Sequence, residues 1–288
     1  MTADTDQCQT ADHRRPMVAA MGEGLRDRIE GVIQAPNCML RMLESRAMFE
    51  WGAFAAAAPW LRLAGRGDRH PVLVLPGLTG GDQSTQLLRA TLVANGYWTH
   101  GWRLGANLGP TDRTVDGIHE RLREIYERHD RPVSVVGWSL GGIYARELAR
   151  EHPEMVRLVI TLGSPFRMKN TDRSSASWLT DRLSSRFADD VLHMATHEHE
   201  KPPLPVPSTA IYSRTDGVVR WHTCIDEESD QHENVEVHGS HSGLGWNPAA
   251  LTVVLDRLAQ PEGEWKRFSP SLAMRAMFPR PKSWRQAA

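Results

Sequence analysis

The sequence predicts one α/β domain, built on a mostly parallel central sheet with helices on both faces. From Pro71 onward, short β-branched or leucine-rich runs alternate with stretches of helical periodicity, which is the pattern of a parallel sheet covered on both sides. The length of 288 residues is enough for one large domain with a substantial core. We place this domain at residues 36–262, between a poorly ordered N-terminal tail (1–35) and a basic C-terminal tail (263–288).

The predicted strands are short apolar runs, each bounded by Gly, Pro, Ser or Asp. They cover residues 72–75, 133–136, 158–162, 209–212 and 235–238. One predicted helix covers residues 114–129. Its apolar face is formed by Val115, Ile118, Leu122 and Ile125, which fall at helical spacing. Its charged residues then form a solvated face.

An apolar segment at residues 49–65 precedes the first predicted strand. It is interrupted by Pro59 and Arg62 and is shorter than the roughly 20 apolar residues that a membrane span requires. We expect a helix packed against the core, with an interfacial or acyl-contacting helix as the alternative.

Composition excludes several classes of function. A formal charge of −1 gives no field that attracts nucleic acid, so no nucleic-acid partner is expected. The cysteines Cys8, Cys38 and Cys224 are odd in number and widely separated, unlike a zinc site or a disulfide framework.

The N-terminus lacks the continuous apolar core of a signal peptide. We therefore expect a cytoplasmic protein, with peripheral contact to a membrane surface as an open possibility.

The motif Gly-Trp-Ser-Leu-Gly at residues 137–141 follows a predicted strand and precedes a predicted helix. In this context G-x-S-x-G forms a sharp turn that lifts the serine hydroxyl above the sheet. Gly137, Gly141 and Gly142 provide the small residues that such a strained turn requires. Ser139 is therefore predicted to be a nucleophile.

With this motif and its flanks, the chain resembles the serine α/β-hydrolase superfamily, in its lipase and carboxylesterase branch, over roughly residues 70–260. The resemblance implies the α/β-hydrolase fold, with the acid after a late strand and the histidine last. Asp216 is then the acid, although Thr-Asp-Gly is also good turn chemistry and both roles can hold. His241 lies in the loop where the family's histidine belongs. His238, which continues the predicted strand, is the alternative base and more suited to a structural role.

The resemblance also implies an oxyanion hole formed by the backbone N–H groups of Leu140 and Leu78. The family often has His-Gly before the second donor, whereas this chain has Pro76-Gly77. The implied reaction is hydrolysis of a small ester or lipid through an acyl-enzyme intermediate, with no metal or cofactor. An acyltransferase, a thioesterase and a non-catalytic binding protein on the same fold are the alternatives.

Residues 167–207 are polar, rich in serine and end in the proline cluster KPPLPVP, so they predict a small lid insertion. Trp178 and Phe187 in the lid, together with Trp138, are predicted to line a substrate pocket. His193, His197 and His199 could suit a metal if this segment were helical, but a solvated lid is favoured.

The C-terminal tail carries six basic residues, interleaved with aromatic residues and methionines, from Lys266 onward. Contact with an anionic membrane surface or a partner and packing across the domain are both open. The sequence leaves the oligomeric state open.

Overall fold

The computed structural model describes residues 38–62, 67–168, 198–272 and 274–279. Within them, six strands form one parallel sheet in the order β2-β1-β3-β4-β5-β6. The strands are β1 (Pro71–Leu75), β2 (Trp98–Gly101), β3 (Val133–Trp138), β4 (Val156–Leu162), β5 (Ser208–Tyr212) and β6 (His232–Glu236). The helices are α1 (Cys38–Met42), α2 (Ala47–Leu61), α3 (Gln86–Ala94), α4 (Asp112–His129), α5 (Leu140–Glu151) and α6 (Pro248–Leu258). Short 3₁₀ turns cover Leu43–Arg46, Glu198–Glu200, Trp221–Cys224 and Arg275–Met277.

Helices cover both faces of the sheet, as the sequence predicted. Successive side chains of a strand point to opposite faces, and β1 shows the result. Leu73 and Leu75 join the apolar cluster that contains the buried residues of α4 and α5. Val72 and Val74 join a second cluster with residues of α3 and α6. The central strands are therefore buried on both faces, which explains their continuous apolar runs.

Helix α4 buries the apolar face that its periodicity predicted, including Ile118, Leu122 and Ile125. Its charged residues do not all face solvent. Arg121 is buried, and its Nε donates a hydrogen bond of 3.0 Å to the carbonyl oxygen of Gly101 at the end of β2. This contact ties α4 to the edge of the sheet.

Two strands differ from the prediction. β2 was missed, because it has four residues and three of them are not buried. The last strand covers His232–Glu236 rather than residues 235–238. Apolar patterning did not detect the start of this strand because most of its residues are polar. Glu233 is buried because it accepts hydrogen bonds from Thr209 and Arg257, so a charged residue occupies an inward position that apolar patterning does not detect.

The predicted helix packed against the core is present as α2, but only a few of its residues contact the second cluster. Of α2, only Leu61 is buried, while Phe54 and Ala57 pack partly against the second cluster. Phe49 and Trp60 are 82% and 73% exposed. The helix lies beside α6 and is held by polar side chains described below. Within the described residues, every helix is too short or too polar to cross a bilayer.

The two remaining segments are described only in part. Of the predicted lid, residues 169–197 lie outside the described residues, and with them the candidates Trp178, Phe187, His193 and His197. The C-terminal tail packs across the domain as far as it is described. The rings of Phe268 and Phe278 lie 5.0 Å apart and both pack against the second cluster.

Candidate active site

Ser139 lies between the end of β3 and the start of α5, at the carboxyl edge of the sheet. Its backbone angles are φ 53° and ψ −121°, a sparsely populated conformation that costs a residue other than glycine about 1–3 kcal/mol. Its N–H donates a hydrogen bond of 2.8 Å to the Leu162 carbonyl at the end of β4. The strained turn is therefore fixed by the sheet itself, as expected of the motif.

Glycines allow the elements around this turn to approach closely. A β-carbon at Gly137 would lie 2.3 Å from the carbonyl oxygen of Gly141, and one at Gly141 would lie 2.4 Å from the carbonyl oxygen of Leu75. Real β-carbons do not approach backbone atoms this closely. The start of α5 thus lies directly against β1 and β3, and no larger residue fits.

Asp216 follows β5 in a turn that fixes its carboxylate. Its Oδ1 accepts hydrogen bonds from the N–H groups of Val218 and Val219, both at 2.8 Å. The side chain therefore acts as a turn residue, as the Thr-Asp-Gly sequence suggested. Its other oxygen, Oδ2, is directed toward the next loop, so the two roles considered for Asp216 are compatible.

His241 meets Asp216 at the edge of the sheet. Its Nδ1 lies 2.6 Å from Asp216 Oδ2, and both residues are buried. A β-carbon at Gly163, which follows β4, would lie 3.1 Å from His241 Nδ1 and 3.3 Å from Asp216 Oδ2. The pair therefore lies over the turn after β4, next to β3, the strand that precedes Ser139.

The charges around His241 favour its protonated form. Burial opposes protonation, but the charge and the hydrogen bond of Asp216, together with the charge of Glu44, outweigh it and raise the pKa of His241 above its ordinary value. The contact between Nδ1 and the carboxylate fixes the orientation of the imidazole ring.

The two backbone donors predicted for an oxyanion hole flank the serine. Leu140 is the first residue of α5, where N–H groups lack an intrahelical acceptor. A β-carbon at Gly77, before Leu78, would lie 3.8 Å from Ser139 Oγ, so this turn faces the serine side chain. Within the described part of the chain, the Leu78 N–H has no hydrogen-bond acceptor.

His238 has a different position from that expected, and the pocket role of Trp138 stays a prediction. Trp138 is buried, its indole N–H donates to the His241 carbonyl at 3.2 Å, and its ring packs edge-on against Trp246. Trp138 is therefore bonded to the loop that carries His241. His238 lies beyond the end of β6 and is exposed, so it does not continue the strand.

Sequence reasoning missed Asn107, which holds the turn before Leu78. Its side-chain N–H donates to the Pro76 carbonyl at 2.9 Å. Its backbone carbonyl accepts a hydrogen bond from the Thr79 N–H at 2.7 Å, and its backbone N–H donates to the Gly80 carbonyl at 2.7 Å. Three such bonds replace the support that the Pro76-Gly77 departure put in question. A lone asparagine in a loop carries no sequence signal for this role.

Glu44, Arg46 and Glu50 were also missed. They belong to the segment from α1 to α2, and all three side chains bind backbone groups of the loops that carry Asp216 and His241. Their spacing resembles that of any charged residues in a helical segment, so only the tertiary structure identifies them.

One group of possible metal ligands lies elsewhere in the described residues. His119 Nδ1 is 2.9 Å from His152 Nε2, and Glu151 lies 3.5 Å from the other nitrogen of His119. A hydrogen bond between the two imidazoles accounts for this group without an ion. Glu151 ends the helix that begins beside Ser139, about 18 Å away at 1.5 Å per residue, so the group is separate from the site.

Comparisons with known proteins give matches to parts of the chain, and no protein-family model matches it. A stretch of 63 residues is 38% identical to pimeloyl-[acyl-carrier protein] methyl ester esterase of Aromatoleum aromaticum, covering 20% of this chain and 25% of that protein. A stretch of 104 residues is 33% identical to a lysosomal thioesterase PPT2 homolog of Drosophila melanogaster, covering 33% of this chain and 35% of that protein. The matches thus span about a third or less of these relatives.

Similarity in three-dimensional structure covers more of the chain than similarity in sequence. The crystal structure of the monoacylglycerol lipase of Paleococcus ferrophilus superposes with a TM-score of 0.54 and 14% sequence identity, covering 68% of this chain and 96% of that chain. At this identity the superposition concerns the fold alone. Together with the six-stranded parallel sheet and its flanking helices, it identifies the architecture: the chain has the α/β-hydrolase fold.

Proposed function

We propose that this chain hydrolyses carboxylic esters, with Ser139 as nucleophile, His241 as general base and Asp216 as the acid that orients the histidine. The observation that carries the proposal is the 2.6 Å contact between His241 Nδ1 and Asp216 Oδ2, next to the strand that ends in the strained Ser139 turn. A base oriented by a carboxylate beside an activated serine is the arrangement that acyl transfer requires.

The proposed reaction has two steps. His241 Nε2 accepts the proton of Ser139 Oγ while the oxygen attacks the ester carbonyl carbon, and the carbonyl π electrons move onto its oxygen. The tetrahedral intermediate collapses, the alcohol leaves with the proton from His241, and the acyl group remains on Ser139. Water then attacks the acyl-enzyme by the same route and releases the acid and the free serine.

Two features of the site lower the barrier in this proposal. The N–H groups of Leu78 and Leu140 stabilise the oxyanion, a contribution of about 3–4 kcal/mol for each donor in related chemistry. Asp216 stabilises the imidazolium that forms when His241 takes the proton. Its second oxygen is already bonded to two backbone N–H groups, so the carboxylate is held in place before the reaction begins.

Replacing the nucleophile tests this proposal. We expect Ser139→Ala to abolish ester hydrolysis and covalent labelling by a fluorophosphonate probe, while the circular dichroism spectrum stays that of the wild type. Ser229→Ala, which changes an exposed serine, serves as the control and should be labelled and active. Turnover of short acyl esters by Ser139→Ala at the wild-type rate would disprove the assignment of the nucleophile.

A thioester is the second candidate substrate, favoured by the similarity of one stretch to a thioesterase homolog. The same residues would cleave it, with a thiolate as leaving group. A matched panel of oxygen esters and thioesters, graded by acyl length, separates the two by kcat/KM. Adding an alcohol to the assay tests for acyl transfer, because the ratio of new ester to acid measures how strongly the acyl-enzyme prefers the alcohol over water.

A further inference from the structure

The carboxylate of Glu44 connects the two loops that carry the acid and the base. Its Oε1 accepts hydrogen bonds from the N–H groups of Gly217 at 2.8 Å and His241 at 3.0 Å. Its Oε2 accepts one from the N–H of Ser242 at 3.0 Å. Gly217 directly follows Asp216, so a single side chain binds next to the acid and at the base itself.

Two neighbouring side chains bind the same loops. Arg46 donates to the carbonyl oxygens of Thr215 and Gly239, at 2.5 and 2.9 Å. Glu50 accepts hydrogen bonds from the N–H and the hydroxyl of Ser240, at 2.7 and 3.0 Å. The three side chains therefore hold residues 215–217 and 239–242 from one side, through a segment that lies 165 or more positions earlier in the chain.

These contacts leave Glu44 as a charge close to the base. Burial opposes ionisation of its carboxyl, but the N–H groups of Ser242, Gly217 and His241 outweigh burial and hold its pKa below the ordinary value. Arg46 and Glu50 form an ion pair with each other at 3.4 Å. Among the described residues, the charges that raise the pKa of His241 are those of Asp216 and Glu44, and both favour the imidazolium.

We propose that Glu44 is a positioning residue of the active site. It locks the Asp216 and His241 loops to each other through backbone hydrogen bonds, and its negative charge stabilises the protonated histidine that forms during acyl transfer. The role rests on the proposed function of Ser139, Asp216 and His241. In this proposal Glu44 contributes to catalysis through Asp216 and His241, and it does not contact the substrate.

The test is Glu44→Gln, which keeps the size of the side chain but removes its charge and one of its two acceptor atoms. A misplaced catalytic group costs about 10- to 100-fold in rate, so we expect kcat to fall about tenfold with KM little changed. The acid limb of the pH profile should move to lower pH, because His241 loses one of the two charges that raise its pKa. Glu120→Gln, which changes an exposed carboxylate of α4, is the matched control and should behave as the wild type.

A second measurement does not depend on turnover. The pKa of His241, followed by the NMR shifts of its ring in the intact protein, should be lower in Glu44→Gln than in the wild type and in Glu120→Gln. An unchanged pKa and pH profile would reduce Glu44 to a structural contact and overturn the proposal. If the wild type lacks ester turnover and probe labelling, the proposed function fails, and the NMR comparison still decides whether Glu44 acts on His241.

Discussion

At the scale of single residues, the position of the histidine relative to the end of β6 decides which one meets the acid. The strand ends at Glu236, so His238 already lies in the loop that follows, where its side chain is exposed and its carbonyl accepts a hydrogen bond from Asn247 at 2.8 Å. His241, three residues later, returns to the sheet edge and meets Asp216. Two similar residues in one short loop thus have different chemical environments.

This difference gives a prediction for the two histidines. We expect His241→Ala to lower kcat by at least about a thousandfold, because removal of any member of a catalytic unit disables the others. Asp216→Asn should be milder, because the imidazole base itself is retained. Wild-type kcat should decline as the pH falls through the raised pKa of His241, since an imidazolium accepts no proton.

His238→Ala is the control for that comparison and should retain most of the activity. Initial rates on one ester, with stability measured in parallel, distinguish a lost base from a lost fold. A larger loss in His238→Ala than in His241→Ala would require the base to be reassigned.

The residues proposed for the chemistry could be singled out from the sequence because such roles impose local requirements. Ser139 needs glycines beside it, and Asp216 sits in a turn that its own type favours. Glu44 and Asn107 impose none, since each acts by binding backbone groups brought together by the fold. Backbone N–H and carbonyl groups are the same in every residue, so the sequence around the bonded groups does not indicate which side chain binds them.

At the scale of elements, the turn between β3 and α5 shows how close packing supports the site. A β-carbon at Gly141 would collide with the carbonyl oxygens of Leu75 and Pro76, at 2.4 and 2.7 Å. Both belong to backbone that cannot rotate away. The start of α5 and the turn that carries Leu78 are therefore fixed against each other.

We expect Gly141→Ala to destabilise the protein by about 1–3 kcal/mol, the usual cost of overpacking a dense interior. Ester turnover should fall as well, because the displaced backbone includes the turn before Leu78. Gly52→Ala is the control: it lies in α2, and its β-carbon would meet no atom within 4 Å. Alanine there should be neutral or stabilise the helix by up to about 1 kcal/mol. Urea unfolding measures both, and equal midpoints would contradict the packing argument.

The segment from α1 to α2 shows where pattern reasoning fails for an element. Its apolar residues predicted a helix packed against the core, but Phe49 and Trp60 are mostly exposed. Besides the few apolar contacts with the second cluster, polar contacts from Glu44, Arg46 and Glu50 hold the segment. Patterning detects burial of apolar area, whereas these side chains contribute by satisfying backbone groups, which apolar periodicity does not record.

At the scale of the whole molecule, buried ionisable groups join distant parts of the chain. Arg146 of α5 bonds Glu198 at 2.7 Å and Asp226 at 2.6 Å, and its guanidinium lies 4.0 Å above the ring of Phe166. Arg257 of α6 bonds Glu233 of β6 at 2.8 Å. Removing one partner of such a pair leaves a buried charge and costs about 3–5 kcal/mol, so these pairs fix segments that apolar packing alone would not.

His70, in the turn before β1, makes the stability of the whole fold depend on pH. The ring is buried between Ser134 Oγ at 2.9 Å and Asp68 Oδ1 at 2.5 Å. Burial, together with the positive charge of Arg157, outweighs the hydrogen bond and the charge of Asp68 and lowers the pKa of His70 to about 4. Between pH 6.5 and 4 the unfolded chain therefore binds a proton at this site and the folded chain does not. The contribution of His70 to stability is full above pH 6.5 and is lost as the pH falls toward 4.

We expect His70→Gln to flatten this dependence, because glutamine does not titrate. Wild type should lose up to about 1.4 kcal/mol per pH unit more than the variant in this window, even if the variant is less stable at pH 7.5. The raised pKa of His241 acts in the opposite direction in both proteins and cancels in the comparison. Urea unfolding at pH 7.5, 6.5, 5.5 and 4.5 gives the slopes, with exposed His238→Gln as the control that keeps the wild-type slope. Parallel slopes for His70→Gln and wild type would show that His70 does not couple protonation to unfolding.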